Sequence, residues 1–120
     1  MTMPPHATAR QVIGAAAEDA ALAYLSRQGL ALAERNFRCR GGEIDLIMRD
    51  AETLVFVEVR RRASARFGGA AASIDAGKRA RLTIAAQTYL QRYRMPPACR
   101  FDVVAIDGDA VSWIRNAIEA

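Results

Sequence analysis

Two short apolar segments each carry a carboxylate at a position where a strand would ordinarily be apolar. The first, GEIDLI at residues 42–47, contains Asp45, and the second, VFVEVR at residues 55–60, contains Glu58. Little more than a turn, at residues 50–53, separates the segments, so we expect a β-hairpin that brings the two acids onto neighbouring strands. Paired carboxylates of this kind supply oxygen ligands for Mg²⁺, and Mg²⁺ promotes phosphodiester hydrolysis.

Two further residues of these segments complete the candidate site. Side chains alternate along a strand, so Glu43 is predicted to share a face with Asp45, and Arg60 a face with Glu58. Glu43 is either a third metal ligand or a solvated residue at the start of the strand. Arg60 keeps its proton, so it would stabilise charge on the phosphorus rather than act as a base. The competing interpretation is a set of structural ion pairs, although acids are disfavoured in strands.

Charged residues on two predicted helices are also placed to reach this site. Glu18 lies midway along the first helix and would point its carboxylate at the same metal, unless it is simply exposed. Lys78 lies at the start of the second helix and would replace a strand lysine in the site. Alternatively, the aliphatic part of its side chain only covers the edge of the hydrophobic core.

The charge balance favours an anionic partner. The chain has a net charge of +4 and a pI of about 9.7, and arginine supplies most of the positive charge. Arginine binds phosphate in a bidentate manner. Five arginines form a candidate nucleic-acid rim, unless they are only solvated charges: Arg61, Arg62, Arg66, Arg79 and Arg81.

Length and composition limit the class of protein. The 120 residues and 52% hydrophobic content suit one domain, residues 1–120, with residues 1–10 as a flexible tail. Cys39 and Cys99 lack a CxxC spacing, which argues against zinc and for reduced thiols. No apolar run approaches the ~20 residues of a membrane span and no secretory signal is present, so we expect a cytoplasmic protein.

Hydrophobic periodicity predicts helices over residues 11–28 and 74–94, and strands over residues 30–38, 43–49, 54–62, 100–106 and 110–115. The predicted fold class is therefore α/β (α+β), in αβββαββ order, with two helices flanking a central mixed sheet. The strand at residues 54–62 is apolar on both faces at its centre, residues 55–57, and is expected to be the central strand, joined to the next strand by a parallel βαβ crossover. The Ala- and Gly-rich residues 64–72 are expected to form a mobile loop.

Motifs along most of the chain resemble those of one family. The chain resembles the YraN family of bacterial endonuclease-like proteins from about Gly14 to Ile106. The GEIDLI and FVEVR segments together carry most of this resemblance, supported by these further positions: Glu18, Ala20, residues 24–25, Gly29, residues 35–38, Lys78, residues 81–82, Ala86, residues 89–90 and residues 100–104.

The resemblance implies a fold and an activity. The YraN family is similar to the Holliday-junction resolvases, a branch of the restriction-endonuclease-like fold whose site follows a D…ExK pattern. Asp45 and Glu58 match the acidic metal ligands and Glu18 matches the helix acid, whereas Arg60 occupies the lysine position.

Family membership would thus imply a Mg²⁺- or Mn²⁺-dependent endonuclease acting on DNA, with branched DNA of recombination or repair as a substrate. Symmetric cutting of a four-way junction needs two sites, hence a homodimer. Two alternatives stay open: an inactive nucleic-acid-binding module of the same fold, and a protein-interaction module.

Overall fold

The computed structural model describes residues 9–62 and 74–118. It contains seven elements there: α1 (Ala9–Arg27), β1 (Ala31–Cys39), β2 (Gly42–Asp50), β3 (Thr53–Arg62), α2 (Ala76–Leu90), β4 (Cys99–Asp107) and β5 (Ala110–Ile114). The predicted αβββαββ order and α+β class are confirmed. The helix α1 begins within the predicted tail, at Ala9; the rest of that tail and the predicted loop at residues 64–72 lie outside the described residues.

The five strands form one mixed sheet in the order β1-β2-β3-β4-β5. Three neighbouring pairs are antiparallel, whereas β3 and β4 are parallel and are connected through α2. The predicted hairpin and βαβ crossover are both present. The central position of β3 explains its sequence, because residues 54–57 are at most 1% exposed and bury side chains on both faces.

The two helices cover opposite faces of the sheet, and each face has its own core. On the first face α1 packs Ala17, Ala21 and Leu25 against a cluster that includes Leu46, Met48, Val55, Val57 and Val104. On the other face α2 packs Leu82, Ala85, Ala86 and Tyr89 against Ile44, Ile47, Leu54, Phe56 and Val103, among others. Across residues 9–62 and 74–118, neither helix is long and apolar enough to cross a membrane.

The second helix is shorter than the predicted span of residues 74–94. Asp75 caps its N-terminus, with Oδ1 accepting a hydrogen bond from the Lys78 amide at 2.8 Å. At the other end Gln91 leaves the helix, and the guanidinium of Arg92 lies 3.7 Å from the centre of the Tyr89 ring. The cap places Lys78 in the first turn of α2, where its side chain can reach the sheet.

Gly42 sets how closely α2 approaches the sheet. The sequence predicts a second strand that begins at residue 43, but Gly42 is already the first residue of β2 and lies against the α2 backbone. A Cβ at Gly42 would overlap the Arg81 carbonyl oxygen and would lie 3.1 Å from the Ala85 amide nitrogen. Only glycine allows this contact, which fixes the middle of α2 over β2.

Candidate functional site

The sheet divides at the point where the two predicted acids lie. Pairing between β2 and β3 runs from Asp50 opposite Thr53 to Leu46 opposite Val57. Beyond this last pair, β2 continues beside β1 and β3 continues beside β4. Asp45 and Glu58 are the next residues of the two strands, so they flank the fork between β2 and β3.

Asp45 and Glu58 interact directly at this fork. Asp45 Oδ2 accepts a hydrogen bond from the Val59 amide at 2.9 Å, which ties it to the strand that carries Glu58. The Asp45 carboxyl also raises the pKa of Glu58, through its charge and through side-chain hydrogen bonding, so the protonation of Glu58 depends on its neighbour across the fork. The hairpin therefore brings together the pair on which the predicted chemistry depends.

Glu58 is buried and incompletely satisfied. The residue is 4% exposed, and its Oε2 atom has no hydrogen-bond partner among the described residues. Lys78 Nζ lies 3.4 Å from Oε2, within ion-pair range, but this contact does not have the directionality of a hydrogen bond. Burial first, and then the charge of Asp45, raise the pKa of Glu58 to about 8, while Lys78 and Arg60 oppose the rise.

Glu18 approaches the same site from the opposite face of the sheet. Its pKa is raised, chiefly by burial and then by the charge of Asp45. Arg35 of β1 counteracts this shift, with Nε 3.5 Å from Glu18 Oε1, and its Nη2 pairs with Asp19 Oδ1 at 2.6 Å. The Asn36 side chain donates a further hydrogen bond to Glu18, so two residues of β1 hold this carboxylate in place.

A second buried acid shows what a satisfied carboxylate looks like in this fold. Asp102 is fully buried, and its oxygens accept hydrogen bonds from Arg100 Nε (3.1 and 3.2 Å), Trp113 Nε1 (2.9 Å) and the Asn116 amide (2.8 Å). Such a carboxylate is structural, because every donor it needs is already supplied. Glu58 differs from it in having an oxygen without a donor.

The sequence comparisons identify the family. The model of the "Uncharacterised protein family UPF0102" matches residues 17–106. This chain belongs to the UPF0102 family. It is 64% identical over 113 residues to a UPF0102 protein of Herminiimonas arsenicoxydans, covering 94% of this chain and 91% of the relative.

Two further UPF0102 relatives are similarly close. A protein of Janthinobacterium sp. (strain Marseille) is 65% identical over 94% of this chain and 92% of its own length. One from Cupriavidus metallidurans is 58% identical over 97% and 86%, respectively. The expected membership of the YraN family, which is UPF0102, is therefore confirmed.

The other predicted ligand of this UPF0102 chain, Glu43, has a different neighbour. Its Oε2 lies 3.5 Å from Arg38 Nε, both side chains are at least half exposed, and Glu43 lines a shallow cleft of about 290 Å³ with Arg81. Within residues 9–62 and 74–118, no group of three or more acidic, histidine or cysteine side chains is arranged to hold a metal. The acids that meet at the fork are Asp45 and Glu58, and Glu18 interacts with Asp45 from the other face.

The predicted cations divide into two groups. Lys78 and Arg60 act on Glu58 directly, and Lys78 is the only lysine among the 120 residues. The exposed rim residues are Arg61, Arg79 and Arg81. Arg61 lines a cleft of about 220 Å³ beside the α1 alanines. The Arg62 side chain and Arg66 lie outside the described part of the chain.

Sequence reasoning gave no role to Arg35 and Asn36, nor to Asp102. An asparagine in the middle of a strand was the available signal for the first pair, because asparagine is rare in strands and tolerates unusual backbone conformations. An acid inside the apolar run RFDVV was the signal for Asp102, as it had been for Asp45 and Glu58.

Proposed function

We propose that this UPF0102 protein is a metal-dependent endonuclease-like enzyme that hydrolyses phosphodiester bonds in DNA. The observation that carries the proposal is the pair of acids, Asp45 and Glu58, that flank the fork of the sheet, with Asp45 bonded to the Val59 amide beside Glu58. A buried carboxylate oxygen without a donor is unfavourable, and Glu58 Oε2 is such an atom. A bound cation would remove this cost at Glu58, as hydrogen-bond donors remove it at Asp102.

The pair fits a Mg²⁺ or Mn²⁺ ion. Mg²⁺ usually binds one or two carboxylates and completes its shell with waters and substrate phosphate, so two acids suffice. Glu58, whose pKa is raised to about 8, would have to lose its proton to bind a divalent cation, and binding would therefore be tighter at higher pH. We assign the metal to Asp45 and Glu58, and leave Glu43 outside the ligand set because it pairs with Arg38.

The cations of the site have a role in charge stabilisation. When bound, the metal would activate water and neutralise phosphate charge. Lys78 and Arg60 lie beside Glu58 and would place positive charge next to the phosphorus, where negative charge increases during attack. Lys78 would supply the ammonium group of the strand lysine, whose position Arg60 occupies. Its ammonium group is compact and can change protonation state, which a guanidinium does not do.

The substrate is argued from charge and from the family. The net charge of +4 and the exposed arginines of the rim, Arg61, Arg79 and Arg81, favour a polyanion. We infer branched DNA in recombination or repair because the YraN motifs are similar to those of junction resolvases. Symmetric cutting would require a homodimer, and the cytoplasm is the compartment where such DNA occurs.

Cleavage of defined DNA substrates tests the proposal. Fluorescent four-way junction, flap and linear duplex are incubated with Mg²⁺, Mn²⁺ or EDTA. We expect metal-dependent cleavage by the wild type and at least a ~100-fold loss in Asp45→Asn and Glu58→Gln, since each removes a ligand charge. The matched control is Glu52→Gln, an exposed acid in the turn at the other end of the hairpin. Equal rates for Asp45→Asn and wild type would refute the proposal.

One observation favours a second candidate, a catalytically inactive nucleic-acid-binding module. Lys78 and Arg60 already oppose the charge of Glu58 without any metal. Calorimetric titration with Mn²⁺ separates the two candidates, because the module needs no metal. DNA binding without detectable Mn²⁺ binding would favour the module.

A further inference from the structure

The backbone of Asn36 is unusual for a residue in the body of a strand. Its φ is +55°, in the left-handed region that non-glycine residues rarely occupy. Asparagine tolerates this conformation better than most residues, yet it still costs on the order of 1 kcal/mol. Strain of this kind persists only where the surrounding structure enforces it, and such residues cluster at functional sites.

Asn36 stands directly across the sheet from Asp45. In the β1–β2 ladder Arg35 is opposite Leu46 and Phe37 is opposite Ile44, so the intervening residues face each other. Leu46 packs in the core under α1, whereas Ile44 packs in the core under α2. Two residues of one strand at a spacing of two should share a face, so the alternation is interrupted between them, at Asp45.

The same interruption occurs in β1. Arg35 reaches Glu18 on α1, while Phe37 packs edge-on against Tyr89 of α2. The left-handed residue between them is Asn36. A left-handed residue interrupts the alternation of side chains along a strand. The interruption at Asn36 in β1 lies opposite the interruption at Asp45 in β2, so the two form one distortion across both strands.

The Asn36 side chain connects the distortion to a second acid. It donates a hydrogen bond to Glu18, and that bond lowers the pKa that burial and Asp45 raise. Asn36 therefore touches the site in two ways: its backbone sets the twist at Asp45, and its amide holds Glu18. Arg35, the residue before Asn36, connects the same segment to α1, because its Nη2 donates a hydrogen bond to the Ala15 carbonyl at 3.3 Å.

We propose that Asn36 is the positioning residue of the acid site, holding Asp45 over the Val59 amide through its left-handed backbone and Glu18 beside Asp45 through its side-chain amide. The catalytic meaning of this role rests on the proposed nuclease function. The positioning itself does not, because the Val59 hydrogen bond and the Glu18 pKa are properties of the metal-free protein.

Three variants separate the two parts of the role. Asn36→Gly keeps the left-handed backbone but loses the amide, Asn36→Ala loses the amide and strains the backbone, and Asn36→Asp tolerates the backbone but replaces the donor with a charge. The readouts are hydrogen exchange of the Val59 amide and the Glu18 pKa, both followed by NMR without metal. Global stability is measured alongside by urea unfolding.

We expect Val59 exchange to accelerate about tenfold or more in Asn36→Ala, beyond any change in global stability, and to stay near wild type in Asn36→Gly. The Glu18 pKa should rise in all three variants, most in Asn36→Asp because of the added charge. A uniform loss of protection, with the Glu18 pKa unchanged, would overturn the inference and leave Asn36 a purely structural residue. These results stand whether or not the protein cleaves DNA, so the two proposals fail separately.

Discussion

Val59 donates its backbone N–H to Asp45 Oδ2 at 2.9 Å, at the position where the β2–β3 ladder has just ended. The carboxylate thus takes the place of the backbone oxygen that β2 would present if the ladder continued. Because the donor is a main-chain group of β3, this bond ties Asp45 to the strand that carries Glu58. The geometry of the acid pair therefore depends on where the two strands separate.

The raised pKa of Glu58 predicts a pH-dependent stability. Its ordinary pKa is 4.5 and its pKa in the folded protein is about 8, so between these values the folded chain binds a proton that the unfolded chain has released. Stability then falls as pH rises, by up to about 1.4 kcal/mol per pH unit from this group. The contribution is fully present below pH 4.5 and is lost by about pH 8.

Urea unfolding of the wild type and Glu58→Gln across pH 4–9 measures this effect. The glutamine cannot ionise, so we expect the difference in unfolding free energy between the two proteins to grow in favour of the variant as pH rises. Glu43→Gln is the matched control, because Glu43 is half exposed and pairs with Arg38. A difference that stays constant with pH would show that Glu58 titrates as an ordinary glutamate.

The ion pair with Lys78 predicts how Glu58 responds to charge removal. Lys78 lowers the pKa of Glu58 more than Arg60 does, so Lys78→Gln should raise that pKa further and Arg60→Gln should raise it less. Carboxyl NMR of labelled glutamate measures both shifts. Equal shifts in the two variants would contradict the assigned order.

The single lysine also offers a direct probe of metal binding. Reductive ¹³C-methylation labels only Lys78 and the amino terminus, and the methyl group keeps the positive charge. If Mg²⁺ binds Glu58, the label should shift with saturation, because the ammonium lies 3.4 Å from Glu58 Oε2. Glu58→Gln should abolish the shift.

Counting along the strands was enough to predict the meeting of Asp45 and Glu58, because a tight hairpin with equal arms puts residues equidistant from the turn opposite each other. The same counting failed at Glu43. Alternation of faces assumes regular extended backbone, and the left-handed Asn36 interrupts it between Ile44 and Leu46. A non-glycine residue with positive φ leaves no periodic signal in the sequence.

The helix boundaries illustrate a different limit. Periodicity extended the second helix to residues 74–94, whereas Asp75 caps it and Gln91 ends it. The cap was readable, since an aspartate three residues before Lys78 is an ordinary N-terminal signal. The apolar run RFDVV marked Asp102 as an unusual acid, but its structural role was not readable, because its donors come from residues brought together only by the pairing of β4 and β5.

Asp102 is predicted to be essential for stability and irrelevant to metal binding. Asp102→Ala leaves Arg100 Nε, Trp113 Nε1 and the Asn116 amide without their acceptor, while Arg100 Nη2 keeps Asp50. Removing one partner of a buried charged network costs about 3–5 kcal/mol. Urea unfolding should show this loss, and Mn²⁺ affinity of the remaining folded protein should equal that of the wild type. A change in metal affinity without loss of stability would place Asp102 in the site.

Gly42 provides the test of how α2 is held over the acid pair. A Cβ there would overlap the Arg81 carbonyl oxygen, and the backbone of α2 cannot move as a flexible side chain would. We expect Gly42→Ala to destabilise the fold by about 1–3 kcal/mol and to displace the turn that carries Lys78. The labelled Lys78 methyl signal should therefore shift even without metal.

Gly14→Ala is the matched control for that substitution, because no atom lies within 4 Å of the added Cβ and the residue is inside α1. Replacing glycine by alanine in a helix interior stabilises by roughly 0.5–1 kcal/mol. The two variants should thus change stability in opposite directions. If Gly42→Ala were as stable as the wild type and left the Lys78 signal in place, α2 would not be packed on β2 as closely as the backbone contact requires, and the ion pair that reaches Glu58 would lose its support.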